Sequence, residues 1–149
     1  MAAVLEPART SLRLTRQYPH PREKVFRAWT DPQALKRWFL PTDAHKCSVA
    51  EADARVGGSY RIVVQDPDGQ EHSVSGVYRE IAPPARLVFT WSWQGRPDVE
   101  SIVTVELREH PAGTELVLTH ERLPDEESRA RHEHGWTGCL EHLGSVGLR

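Results

Sequence analysis

Leu12 and Leu14 alternate with Ser11, Arg13 and Thr15. This is the period of two expected of a half-buried strand, and Pro19 and Pro21 end it, which predicts a first strand at about 11–18. From Pro21 the spacing changes. Val25, Phe26 and Trp29 fall at i, i+1 and i+4, and Asp31-Pro32 opens a second segment whose apolar side is Leu35, Trp38 and Phe39. Two short helices are predicted there.

Past Pro41 the chain turns strand-like as far as His120, punctuated by turn signals at Gly57-Gly58, Asp66-Pro67-Asp68-Gly69, Pro83-Pro84, Gly95-Arg96-Pro97 and Pro111-Ala112-Gly113. Four alternating sets fall between those turns: Tyr60, Ile62, Val64; Phe89, Trp91, Trp93; Val103, Val105, Leu107; and Leu116, Leu118, His120. Each set occupies one face of a sheet, with more polar residues between its members. Pro124-Asp125-Glu126-Glu127 places acidic residues at the positive end of a helix dipole. Beyond it Trp136, Cys139, Leu140 and Leu143 fall at i, i+3, i+4 and i+7, a single apolar stripe. A long helix at about 125–144 is predicted, with a fraying tail at Gly144-Ser145-Val146-Gly147. Gly135 lies inside it, where glycine costs about 1 kcal/mol relative to alanine, so Gly135 is expected to mark a close approach of helix to sheet.

The order is strand, two helices, about six antiparallel strands and one long helix. An α+β helix-grip fold buries every apolar stripe at once: a curved antiparallel sheet, with the first strand at its edge and the terminal helix over its concave face. Such a helix often leaves an enclosed space lined by large apolar side chains.

Length and charge narrow the function. The 149 residues fit one domain, spanning 1–149 with an ordered core at about 11–143. At 38% hydrophobic and 27% charged residues, disorder and fibres are excluded. No apolar run approaches the ~20 residues that cross a bilayer, and the N-terminus carries no signal-peptide pattern, so no membrane partner and a cytoplasmic location are expected. Nineteen basic against twenty-one acidic residues give a net charge of −2, without the excess that phosphate-backbone binding needs, so nucleic acid is not an expected partner. Cys47 and Cys139 form no CxxC pair and read as two reduced, buried thiols. Among the eight histidines, His132 and His134 point to opposite sides of a helix, and His134 and His142 lie about 12 Å apart along it at 1.5 Å per residue. No metal and no cofactor are expected.

Several segments resemble a known family: PREKVFRAWTDP at 21–32, LKRW at 35–38, VGGSY at 56–60, DPDG at 66–69, PPARLVFTW at 83–91, GTELVLTH at 113–120 and HEHGW at 132–136. They run in family order from about residue 11 to 143 and are similar to the SRPBCC or Bet v 1-like (START-like) superfamily. Within it they resemble the group related to the C-terminal domain of the activator of the heat-shock-protein-90 ATPase. The resemblance implies a helix-grip fold and a hydrophobic ligand. Some members of the superfamily are cyclases, hydrolases or partner-binding domains. The co-chaperone also has a separate chaperone-binding N-terminal domain, for which this chain is expected to have no room.

The aromatic residues read first as core and second as a pocket wall. Trp91 and Trp93 share a strand face with Phe89, and Trp136 sits on the helix that covers it. His132 lies one turn before Trp136, and His120 continues the inward register of Leu116 and Leu118. Two inward histidines are hydrogen-bonded core groups, or they orient a ligand, or they act as general acid and base. Tyr60, Tyr78 and Ser101 add hydroxyls to the same wall. Acidic pairs are explained by a helix start and a hairpin, Gly57-Gly58 by a turn, and no GxSxG occurs.

Binding of a small hydrophobic or amphipathic molecule between sheet and helix is therefore expected. Phe39, Tyr60, Phe89, Trp91, Trp93 and Trp136 supply aromatic wall, Val103, Leu118 and Leu140 supply aliphatic wall, and His120 and His132 set orientation. The alternatives are a cyclase- or hydrolase-like enzyme using the inward histidines, and a stress-response or chaperone-linked interaction protein. A homodimer is compatible with the sequence.

Overall fold

The computed structural model describes residues 10–149. Strand β1 (Thr10–Tyr18) leads into helices α1 (Arg22–Thr30) and α2 (Pro32–Trp38). Six strands follow: β2 (Lys46–Ala52), β3 (Ser59–Gln65), β4 (Glu71–Ala82), β5 (Arg86–Trp93), β6 (Ser101–His110) and β7 (Gly113–Leu123). Helix α3 (Glu126–His142) and a π-helical turn (Leu143–Gly147) complete the chain.

Local chemistry sets the boundaries. The Asp31 backbone is extended and ends α1, while its carboxylate accepts the Gln33 N–H at 2.9 Å and Pro32 opens α2. Asp125 does the same for α3, accepting the Ser128 N–H at 2.8 Å, with Glu126 and Glu127 in the first turn.

All seven strands form one antiparallel sheet in the order β1-β7-β6-β5-β4-β3-β2. Strands β2 to β7 pair consecutively, and β1 is laid against β7 from the other end of the sequence. The register places Phe89 opposite Val103, Val103 opposite His120, Val105 opposite Leu118 and Leu107 opposite Leu116, so the alternating sets share one buried face. Register shifts between Thr10 and Leu12, Cys47 and Val49, and Tyr78 and Glu80 bend the strands locally, as bulges do. Helix α3 closes that face: the Tyr18 hydroxyl donates to the Leu140 carbonyl at 2.8 Å, and Trp136 packs on Trp91 at 5.1 Å between ring centres. This is the helix-grip arrangement expected from the sequence.

Three expectations are corrected. The tail at 144–147 does not fray: Leu143, Gly147 and Leu148 are buried, and a Cβ on Gly147 would come within 2.8 Å of the Trp38 side chain. Glycine lets the turn lie flat on that ring, so the polar look of the tail hides a packed face. The close approach of α3 belongs to Gly138, not Gly135. A Cβ on Gly138 would run into the Pro41 carbonyl, whereas one on Gly135 meets nothing within 4 Å. The helix therefore presses on the loop after α2 rather than on the sheet at that level. Finally, Cys139 is buried but Cys47 is only half-buried, because β2 is an edge strand.

Candidate ligand-binding site

Between β5, α3 and the loop after α2 lies a cavity of about 1000 Å³. Its inner wall is aromatic: Phe39 from the end of α2, Trp91 and Trp93 from β5, and Trp136 from α3. Pro41, Thr42 and His45 form one side, and Arg96 and Val99 from the turn after β5 form another. The rim carries exposed Arg96, Asp125, Glu127 and Arg131. Arg131 faces Glu127 at 3.5 Å and Arg96 faces Asp98 at 3.9 Å, so neither sign of charge dominates the mouth.

The wall is built on paired tryptophans and histidines. His132 Nε2 accepts two indole N–H groups, from Trp93 at 3.0 Å and Trp91 at 3.3 Å. Its proton is therefore on Nδ1, which donates to the Ser128 carbonyl one turn earlier at 2.7 Å. Behind it His120 Nδ1 accepts the Trp136 N–H at 3.0 Å, so Nε2 carries the proton and donates to Ser101 Oγ at 2.7 Å. The Ser101 hydroxyl in turn donates to the Trp91 carbonyl at 3.3 Å. Burial disfavours the charged form of both rings, and His132 lies close to His120, so the His120 pKa lies well below the ordinary histidine value. Burial likewise lowers His132, against the opposing pull of its bond to Ser128. Both are neutral at pH 7.

A second clasp holds the loop beside the cavity. His142, at the end of α3, donates from Nδ1 to the carbonyls of Leu40 and Gly138 at 2.8 and 2.9 Å, and from Nε2 to Asp43 Oδ1 at 2.6 Å. Burial opposes its charge, but the Asp43 hydrogen bond and the two carbonyls prevail and raise its pKa. A cation here also suits the negative end of the helix.

The sequence-predicted residues separate by depth. Phe39, Trp91, Trp93, His132 and Trp136 meet at the cavity wall. Tyr60 and Phe89 lie deeper, around a void of about 20 Å³, and the Tyr60 hydroxyl donates to the Thr90 carbonyl at 2.5 Å. Val103, Leu118, His120 and Leu140 are sealed in the core and line neither space; His120 bears on the site through Trp136 and Ser101. Sequence reasoning did not find Pro41, Thr42, His45, Arg96 and Val99, which come from connections with no periodicity. Helical spacing shows only that Trp29 faces inward, whereas in the fold it packs against Trp38, Trp136 and Phe89 at 4.7, 5.8 and 6.4 Å. No group of three or more histidine, cysteine, aspartate or glutamate side chains is arranged to hold a metal among the described residues. No helix among them is long and apolar enough to cross a membrane.

Solved structures share this architecture. A protein from Chromobacterium violaceum is 33% identical, with 93% of this chain and 98% of that one covered and a TM-score of 0.85. An AHSA1 protein from Silicibacter pomeroyi is 31% identical over 91% of this chain and 96% of its own, with a TM-score of 0.80. An AHSA1-like protein from Aeromonas hydrophila, at 24% identity and a TM-score of 0.77 over 94% and 96% of the two chains, is alike in fold. No curated protein matches the chain. The model of the family described as Activator of Hsp90 ATPase homolog 1-like protein matches residues 19–146, and the helix-grip fold with its ordered sequence segments agrees: the chain belongs to that family.

Proposed function

We propose that the protein binds a small hydrophobic or amphipathic molecule in the cavity between its curved sheet and α3. The observation that carries this reading is the aromatic wall of Phe39, Trp91, Trp93 and Trp136 around about 1000 Å³. That size falls at the upper end of ordinary small-molecule sites. Apolar ligand surface buried there contributes about 25 cal/mol per Å².

Every imidazole nitrogen of His120 and His132 is already engaged, and His132 Nε2 holds two indole donors. A general base needs a free lone pair within reach of substrate, so this geometry supports a binding wall over the cyclase or hydrolase alternative. An interaction protein calls for an apolar patch of several hundred Å². Among the described residues the exposed large hydrophobics are Val56 and Val77, 63% and 41% accessible. The free thiols of Cys47 and Cys139 suit a reducing compartment, and the cytoplasm is the location this reading assigns.

Titration with 1-anilinonaphthalene-8-sulfonate tests the reading. Binding at micromolar concentration with a change in tryptophan emission is expected, weakened by Trp93→Ala and by Trp136→Ala. A folded wild type that leaves the probe dark would overturn it.

A further inference from the structure

Among the described residues, Trp29 Nε1 is the buried side-chain nitrogen or oxygen without a hydrogen-bond partner. The other four indole N–H groups all have acceptors: Trp38 donates to the Ala28 carbonyl at 2.8 Å, Trp91 and Trp93 to His132, and Trp136 to His120. Buried indoles ordinarily find a partner, and an unpaired buried donor is costly. Trp29 is 4% exposed, so bulk water does not supply the missing acceptor.

Trp29 also lines the void of about 20 Å³, together with Leu35, Tyr60, Ile62, Tyr78 and Phe89. That volume admits one water-sized group. Phe39 and Trp91 line both this void and the large cavity, with ring centres 6.0 Å apart, so the two rings partition the outer space from the inner one. Phe39 is the C-cap of α2, with φ −80° and ψ 72°, and its N–H still donates to the Leu35 carbonyl at 2.9 Å, so a ligand passes by a turn of the side chain rather than a shift of the backbone.

We propose that the void is the inner end of the ligand site. A ligand inserted between Phe39 and Trp91 sets an uncharged hydrogen-bond acceptor, a ketone, ester or ether oxygen, on Trp29 Nε1. An indole nitrogen only donates, which selects an acceptor. No basic side chain lines the void, so a carboxylate there would be buried without a counter-charge, which selects against acids. The ligand class is an apolar or aromatic body led by a neutral oxygen. The inference rests on the binding reading above and names what its inner end recognises.

The experiment compares three naphthalenes of similar shape, 2-acetylnaphthalene, 2-isopropylnaphthalene and 2-naphthoate, on wild type and on Trp29→Phe, which keeps an aromatic ring and removes the donor. Wild type is expected to bind the ketone about tenfold more tightly than the hydrocarbon, the scale of one net hydrogen bond. It should bind the carboxylate most weakly. In Trp29→Phe the ratio of ketone to hydrocarbon affinity falls to about one, whatever the common change that loss of ring area makes to both. The infrared carbonyl stretch of the ketone bound to wild type should move to lower wavenumber, a readout independent of whether the variant folds. An unshifted stretch, a ketone preference that survives in Trp29→Phe, or a wild type that favours the carboxylate overturns the inner anchor. Hydrocarbon binding without a ketone advantage means that a fixed water alone occupies the void, and again the anchor is lost while the binding reading stands. Failure of both neutral probes on folded wild type removes the binding reading and the anchor with it.

Discussion

The imidazoles of His120 and His132 lie 4.9 Å apart, nearly edge to face, and carry their single protons on opposite nitrogens, Nε2 in His120 and Nδ1 in His132. Tryptophans set both choices. Three indole N–H groups demand acceptors inside the fold, and each histidine supplies one by keeping the corresponding nitrogen bare. The pair thus satisfies the polar edges of the wall and leaves its aromatic faces for a ligand.

Acid should weaken this arrangement. Both folded pKa values are lowered, so the folded protein binds fewer protons than the unfolded chain once pH falls below the unfolded value of roughly 6.5, and stability drops with it. Thermal melts are expected to show a falling midpoint from pH 7 to 5. His132→Gln keeps an acceptor for the indoles and removes one titration, so its profile should be flatter; a profile as steep as wild type would place the sensitivity elsewhere.

His142 should act in the opposite sense. Its folded pKa is raised, so its contribution is complete below the unfolded value of roughly 6.5 and is lost as pH rises through the folded value. Hydrogen exchange of residues 40–45 is expected to quicken on raising pH through neutrality, after correction for the intrinsic rate. In His142→Ala it should be fast throughout, and protection that persists in that variant would show that the loop holds itself.

The two glycines of α3 should respond with opposite sign. Gly138→Ala drives a methyl into the Pro41 carbonyl and is expected to destabilise by about 1–3 kcal/mol, the range of overpacking. Gly135→Ala has open space and gains helix propensity of up to about 1 kcal/mol. Chemical denaturation of the two variants side by side measures both, and a destabilised Gly135→Ala would contradict the helix register.

Ser101→Ala removes the acceptor of the His120 Nε2 proton in a fully buried setting. The orphaned N–H is expected to reduce stability by about 1–3 kcal/mol. Ser101→Thr, which keeps the hydroxyl, should recover part of it; equal losses in both would mean that packing rather than the hydrogen bond is at stake.

Strand faces were legible because period two is a local property: Val103, Val105 and Leu107 alternate inward whatever they meet. Depth was not. Phe89 and Trp91 alternate on one strand, yet Trp91 borders the open cavity and Phe89 only the small inner void, a distinction made by Phe39 arriving from a different element. The same limit explains Gly138. Its partner, Pro41, lies far along the chain in a loop whose path no periodicity describes. The inward direction of His132 could be read from its spacing to Trp136, but its role as joint acceptor for Trp91 and Trp93 needed the strand and helix brought together.

The placement of β1 has a consequence for synthesis. Strands β2 to β7 each find a partner as soon as the next hairpin leaves the ribosome, but Thr10 must wait for the carbonyl of Leu123, 113 residues later. Throughout that interval a strand bearing Leu12, Leu14 and Tyr18 is translated but unpaired, open to any other edge it encounters. Arg13 and Arg16 stand within it, and charges on a waiting edge hinder its pairing with a second nascent chain. Pairing of β1 thus waits until β7 has been made, and the arginines of β1 keep the strand from other edges until then.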